Sequence, residues 1–77
     1  MNIIENLEDQ FSMTIECKLM TQKKLHYTMI QFEKNKDSMN HRDIERQEKI
    51  MRRMEDKIIE YGVYENVVAD KLKRLKI

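Results

Sequence analysis

The side chains able to do chemistry are few, and their spacing keeps most of them apart. His41 and Glu45 stand at i,i+4, which puts both on one face of a helix. With Cys17 and His26 they make four conceivable metal ligands. A hairpin reversing near Asn40, however, leaves His41 at the turn, with Cys17 opposite position 62 and His26 opposite position 53. His41 then reads as a solvated residue in the first turn of a helix, and no metal site is expected. Cys17 as a nucleophile needs a base and an orienting group. Its nearest histidine in sequence, His26, is nine residues off, about 13 Å along a helix, so a buried or half-buried structural cysteine is the expectation. Glu55 and Asp56 are sequence neighbours and point in different directions on a helix. There is no glycine-rich loop for phosphates, and a two-helix scaffold offers no obvious deep pocket. No catalytic residue and no cofactor site are expected, and the chain reads as a binding protein, not an enzyme.

Basic side chains offer the main alternative chemistry. Arg42, Arg46, Arg53, Lys71, Lys73, Arg74 and Lys76 are candidate phosphate contacts, since arginine suits bidentate contacts to phosphate. Acids interleave with the bases over residues 37–61, six bases against seven acids, which is the pattern of a solvated, charge-laced helix. The tail, at +4 over residues 71–76, is the better phosphate candidate. Tyr27, Tyr61 and Tyr64 are the aromatics left for base stacking, because Phe11 and Phe32 read as buried. Of seven methionines, Met29, Met51 and Met54 fit a helix seam. Met13, Met20 and Met39 do not, and belong to a contact surface if exposed.

The elements that position these residues follow from composition and periodicity. The 77-residue chain has no Pro, one Gly, no Trp and 38% charged residues, too little turn chemistry for a sheet. One all-α domain over 1–77 is expected. Ile4, Leu7, Phe11, Ile15, Leu19 (or Lys18), Gln22, Leu25, Met29 and Phe32 recur every three or four residues, predicting a helix over about 3–36. Asn35 to Asn40 supplies a turn, with Asn40 and Asp43 spaced as a loose capping box. Ile44, Gln47, Met51, Met54, Ile58 and Tyr61 predict a second helix over about 41–61. Gly62 stands where a helix would kink or break, and helical spacing resumes over about 64–77 through Tyr64, Val68, Leu72 and Leu75.

An antiparallel hairpin pairs residues whose numbers share a constant sum. Ile4 with Leu75, Leu7 with Leu72, Phe11 with Val68, Ile15 with Tyr64, Leu25 with Met54 and Phe32 with Gln47 all give 79. Charge agrees: residues 1–16 hold four acids and no base, opposite the basic tail. The rival is a compact three-helix bundle in which Gly62 is a true turn. In either case a second copy closing a four-helix bundle is the natural completion. Met20, Tyr27, Ile30, Ile59, Val63 and Val67 lie off the main stripe and are the candidates for a dimer seam or partner surface.

Function is bounded rather than named. The leading expectation is a small non-enzymatic regulator or inhibitor that docks a helical face onto a larger protein partner and forms a homodimer. The alternatives are a nucleic-acid binder using the basic tail and the Arg-rich side of helix two, or a self-assembling coiled-coil element. Composition heavy in Lys, Ile, Asn and Met suits a low-GC bacterium or its phage. One thiol, no secretory signal and no apolar run of roughly 18 residues point to a cytoplasmic setting without membrane contact.

Overall fold

The computed structural model describes residues 2–76. Two long helices, α1 (Ile3–Asn35) and α2 (His41–Leu75), lie antiparallel, joined by one turn of 3-10 helix at Lys36–Ser38. At about 1.5 Å per residue each helix is about 50 Å long, and the whole molecule measures 56 × 17 × 14 Å. Its radius of gyration is 17.3 Å, against about 11–12 Å for a compact domain of this length. That difference decides for the extended hairpin and against the three-helix bundle.

Both helices begin alike. Asn2 and Asn40 are extended, and each side-chain Oδ1 accepts a hydrogen bond from a backbone N–H three residues on, Glu5 at 2.8 Å and Asp43 at 2.9 Å. Each bond satisfies one of the free donors of a helix start. Met39 and Ile44, both half-buried, occupy the two positions at which apolar side chains staple a helix entry. In the turn the Ser38 hydroxyl donates to the Asn35 carbonyl at 2.9 Å. Among the described residues no backbone has positive φ, so the chain reverses without a glycine.

The expected break at Gly62 does not occur; α2 runs through it unbroken to Leu75. A helix stops at glycine when the backbone turns left-handed there, and Gly62 has no positive φ. Its neighbours have reason to stay helical, because Tyr61 before it and Glu65, Val68 and Leu72 beyond it continue the packed face of α2.

The seam between the helices keeps the expected register but takes a different path. Along α1 the buried and half-buried positions Ile4, Leu7, Phe11, Thr14, Lys18, Thr21, Leu25, Thr28 and Phe32 make an unbroken alternation of threes and fours, with Gln10, Ile15 and Gln31 half-buried beside it. Along α2 the matching series is Ile44, Gln47, Met51, Met54, Ile58, Tyr61, Glu65, Val68 and Leu72, with Asp43, Ile50, Gly62 and Ala69 half-buried beside it. Paired across the hairpin these still add to 79, but Thr14 faces Glu65 where Ile15 was expected to face Tyr64. The steps of four from Leu7 to Phe11 to Ile15, matched in the sequence by Tyr64, Val68 and Leu72, are not those of the seam. Leu19, Gln22 and Met29, read from sequence as stripe residues, stand on the flank and are exposed.

Four seam positions of α1 are therefore polar. Thr14, Thr21 and Thr28, seven residues apart, each donate a hydroxyl hydrogen bond to the carbonyl four residues back, at 2.7–2.8 Å. This is the usual way a helix hides a threonine hydroxyl from an apolar contact. Lys18 Nζ reaches Glu65 Oε2 at 2.7 Å, with the two side chains 25% and 22% exposed. The apolar core is correspondingly thin: among the described residues Val68 and Leu72 are the buried apolar side chains, joined by Thr14.

Candidate functional site

Counting outward from the seam gives the hairpin two broad sides. One is marked by the hydrogen bond from Tyr64 Oη to Gln10 Oε1 at 3.2 Å, the other by the ion pair between Lys76 Nζ and Glu8 Oε1 at 3.2 Å. These are the two flanks that an antiparallel coiled coil presents on either side of its seam.

The Tyr64 side is grooved along its length. Near the chain ends the groove is lined by Ile3, Leu7, Lys71 and Leu75. At mid-height it runs past Met13, Cys17, Met20, Lys24, Tyr61 and Tyr64, and at the turn past Tyr27, Phe32, Met39 and Gln47. The thin seam is the cause: short threonines at Thr14, Thr21 and Thr28 leave the space between helices open to that flank. Cys17 is exposed here, which corrects the expectation of a buried structural cysteine. It stands one position off the seam, where the helix turns it toward the groove.

Charge divides between the same two sides. The flank positions of the grooved side carry Lys24, Lys34, Arg46, Arg53, Lys57, Lys71 and Arg74 against Asp43 and Glu60. The opposite flank carries Glu5, Glu8, Glu33, Glu45, Glu48 and Glu55 against Arg52, Lys73 and Lys76. A net charge of +1 thus conceals a basic side and an acidic side. Fields of one sign along a groove raise the local concentration of oppositely charged partners.

The sequence-derived candidates divide in the same way. Of the phosphate candidates, Arg46, Arg53, Lys71 and Arg74 share the grooved side, Lys73 and Lys76 fall on the other, and Arg42 lies on the outer back of α2. Arg74 is engaged by Asp70 at 3.1 Å. Of the contact candidates, Met20, Tyr27 and Val67 flank the groove and Ile59 stands on the opposite side. Ile30 and Val63 lie on the outer backs of the two helices. All six are exposed. Met13, expected on a contact surface if exposed, is exposed; Tyr64 and Leu19, exposed as well, were missed as contact residues. The signal that finds them is a strict heptad count from Phe11, which moves each of them off the seam.

The structure keeps the sequence-derived metal and nucleophile candidates apart. His41 Nε2 meets Glu45 Oε1 at 3.0 Å on the exposed first turn of α2, and Cys17 and His26 face opposite sides of α1. Among the described residues no three His, Cys, Asp or Glu side chains converge on a point that could hold a metal ion. No described helix is long and apolar enough to cross a membrane. No family model matches the chain, and no curated protein or solved structure matches it.

Proposed function

We propose that the chain is a small non-enzymatic binding module, a regulator or inhibitor that works as a pair of copies. It lays its grooved, basic side onto an acidic surface of a larger protein. The observation that carries this reading is surplus surface. The chain exposes 6425 Å², whereas a compact monomer of 9.5 kDa exposes about 5,000 Å². The excess of about 1,400 Å² exceeds what one partner buries in a standard protein interface, about 800 Å². Met13, Met20, Tyr27 and Tyr64 stand exposed along the groove, and such Met and Tyr surfaces adapt well to a partner's side chains.

The test is affinity capture by the tagged chain, with and without nuclease, beside the Met20→Glu variant. One dominant protein, retained after nuclease and lost with Met20→Glu, supports the reading. Capture indifferent to that variant removes the grooved side from it. A second reading has its own observation: seven bases and Tyr27, Tyr61 and Tyr64 share the grooved side, a combination that suits single-stranded nucleic acid. It predicts affinity falling steeply with salt. It also predicts that Gln at Arg46, Arg53, Lys71 and Arg74 abolishes binding, whereas Gln at Lys73 and Lys76 does not.

A further inference from the structure

We infer that two copies of the chain pair through the ungrooved side, the flank that carries Leu19 and Ile59. This rests on the pairing of copies proposed above and assigns it a face.

Three observations select that face. The first is an uncharged band. Eleven flank positions run along the middle of this side, between Ser12 and Met29 on α1 and between Glu55 and Ala69 on α2. Glu55 is the one formal charge among them, in a chain that is 38% charged. At the centre of the band Leu19 and Ile59 stand at the same height on the two helices, 49% and 64% exposed. Gly62 lies beside them, and a Cβ built there meets nothing within 4 Å, so a second helix has room to approach the backbone.

The second observation is charge. The grooved side, with seven bases against two acids, repels a copy of itself. On the ungrooved side the open end of the hairpin carries Glu5 and Glu8 on α1 and Lys73 and Lys76 on α2. A two-fold axis along the hairpin sets α1 of one copy against α2 of the other. Acids then meet bases at the open end and Leu19 meets Ile59 twice, while at the turn end Glu33 of each copy comes near Glu45 and Glu48 of the other and works against the pair. Like charges across an interface are costly and opposite ones fix its register. The third observation is area. The whole side, 56 Å long and 17 Å wide, spans about 950 Å², so a stable pair at roughly 800 Å² per partner draws on its charged ends as well as the uncharged band. Pairing on this side leaves a basic groove on each outer face of the dimer.

Sedimentation equilibrium of the full chain over a wide concentration range tests both the pairing and its face. The expected mass is twice 9.5 kDa, falling to the single-chain mass in Ile59→Glu and in Leu19→Glu. Met20→Glu, at a side chain 70% exposed on the grooved side, should remain a dimer. A single-chain mass for the unaltered protein at every concentration overturns the pairing itself. A dimer that survives Ile59→Glu and Leu19→Glu but splits with Met20→Glu overturns the face, and a mass growing beyond two chains overturns the closed pair. Cys17, the one cysteine and exposed on the grooved side, gives a readout without mutation. Spin labels on it should lie apart by about twice the 14 Å thickness of a hairpin or more. A separation shorter than one thickness would mean that the grooves face each other.

Discussion

Replacing Gly62 with alanine tells a continuous second helix from a broken one by the sign of its effect. Glycine inside a helix costs about 1 kcal/mol relative to alanine, because its backbone has more freedom to lose on folding. Gly62 lies well inside α2, without positive φ, and an added methyl group meets nothing within 4 Å. Neither a clash nor new burial enters within one hairpin, so the propensity difference is the whole effect. Gly62→Ala should therefore stabilise the hairpin by about 1 kcal/mol. For 77 residues this is a rise in Tm of about 4–8 °C. In urea it is a midpoint shift of about 1 M, taking a slope of about 1 kcal/mol/M. Were Gly62 instead a left-handed cap between two helices, alanine would destabilise by at least as much.

Far-ultraviolet circular dichroism, followed through heat and urea, reads the result directly. A fall in Tm in the single-chain Ile59→Glu background refutes the continuous helix. Because Gly62 also faces the proposed second copy, the same substitution belongs in an Ile59→Glu background. There the full gain is expected. In the unaltered protein a closely approaching helix should meet the new methyl group, so the gain should shrink or reverse. An equal gain in both backgrounds would place the second copy's backbone away from Gly62.

The remaining predictions concern the seam and its caps. Thr21→Leu and Thr28→Leu, facing Ile58 and Met51 in the register, should each stabilise by about 1 kcal/mol by filling space beside apolar partners; an unchanged urea midpoint would move the seam off these threonines. Glu65→Gln leaves Lys18 half-buried without its counter-ion and should cost about 1–2 kcal/mol, between the values for buried and surface pairs. The double change Lys18→Met with Glu65→Leu should recover that loss or exceed it, and strict additivity of the single changes in a mutant cycle would refute the coupling. Asn40→Ala removes the acceptor for the Asp43 N–H and should cost about 1 kcal/mol, most of it regained by serine; no change in the urea midpoint would show that the cap contributes nothing.

The architecture was legible because it is written in quantities that survive small errors. Two apolar periodicities of matching length, a single cluster of turn residues and opposite charge at the two chain ends fix an antiparallel hairpin and its sum of 79. The path of the seam was not legible, for a definite reason. Reading by hydrophobicity chooses Ile15 over Thr14, Leu19 over Lys18 and Tyr64 over Glu65. The packed hairpin chooses position over polarity. A threonine can bond its hydroxyl to its own helix, and Lys18 and Glu65 can neutralise each other across the seam, so none of these residues must leave it. The displaced apolar residues then appear on the flanks, which is why Leu19, Met29 and Tyr64 were missed as contact surface. Gly62 misled in the same way: a glycine at a plausible boundary signals a stop only if the backbone beyond it has nothing to pack on, and Val68 and Leu72 lie beyond it.

Sidedness follows from that shift and changes how the charge should be read. Counted along α2 the bases and acids interleave, which argues for a solvated helix with no directed partner. Counted around the hairpin they separate, because Arg46, Arg53 and Arg74 recur at multiples of seven, as do Lys57 and Lys71, while Glu45, Glu48 and Glu55 fall on the other flank. A heptad repeat turns spacing into direction. A net charge near zero therefore says little about whether such a hairpin steers its partners. The polar seam that thins the core also leaves the groove open on the basic side. The apolar side chains displaced from it, Leu19 and Met29 on one side and Tyr64 on the other, supply the surface with which the two sides can bind.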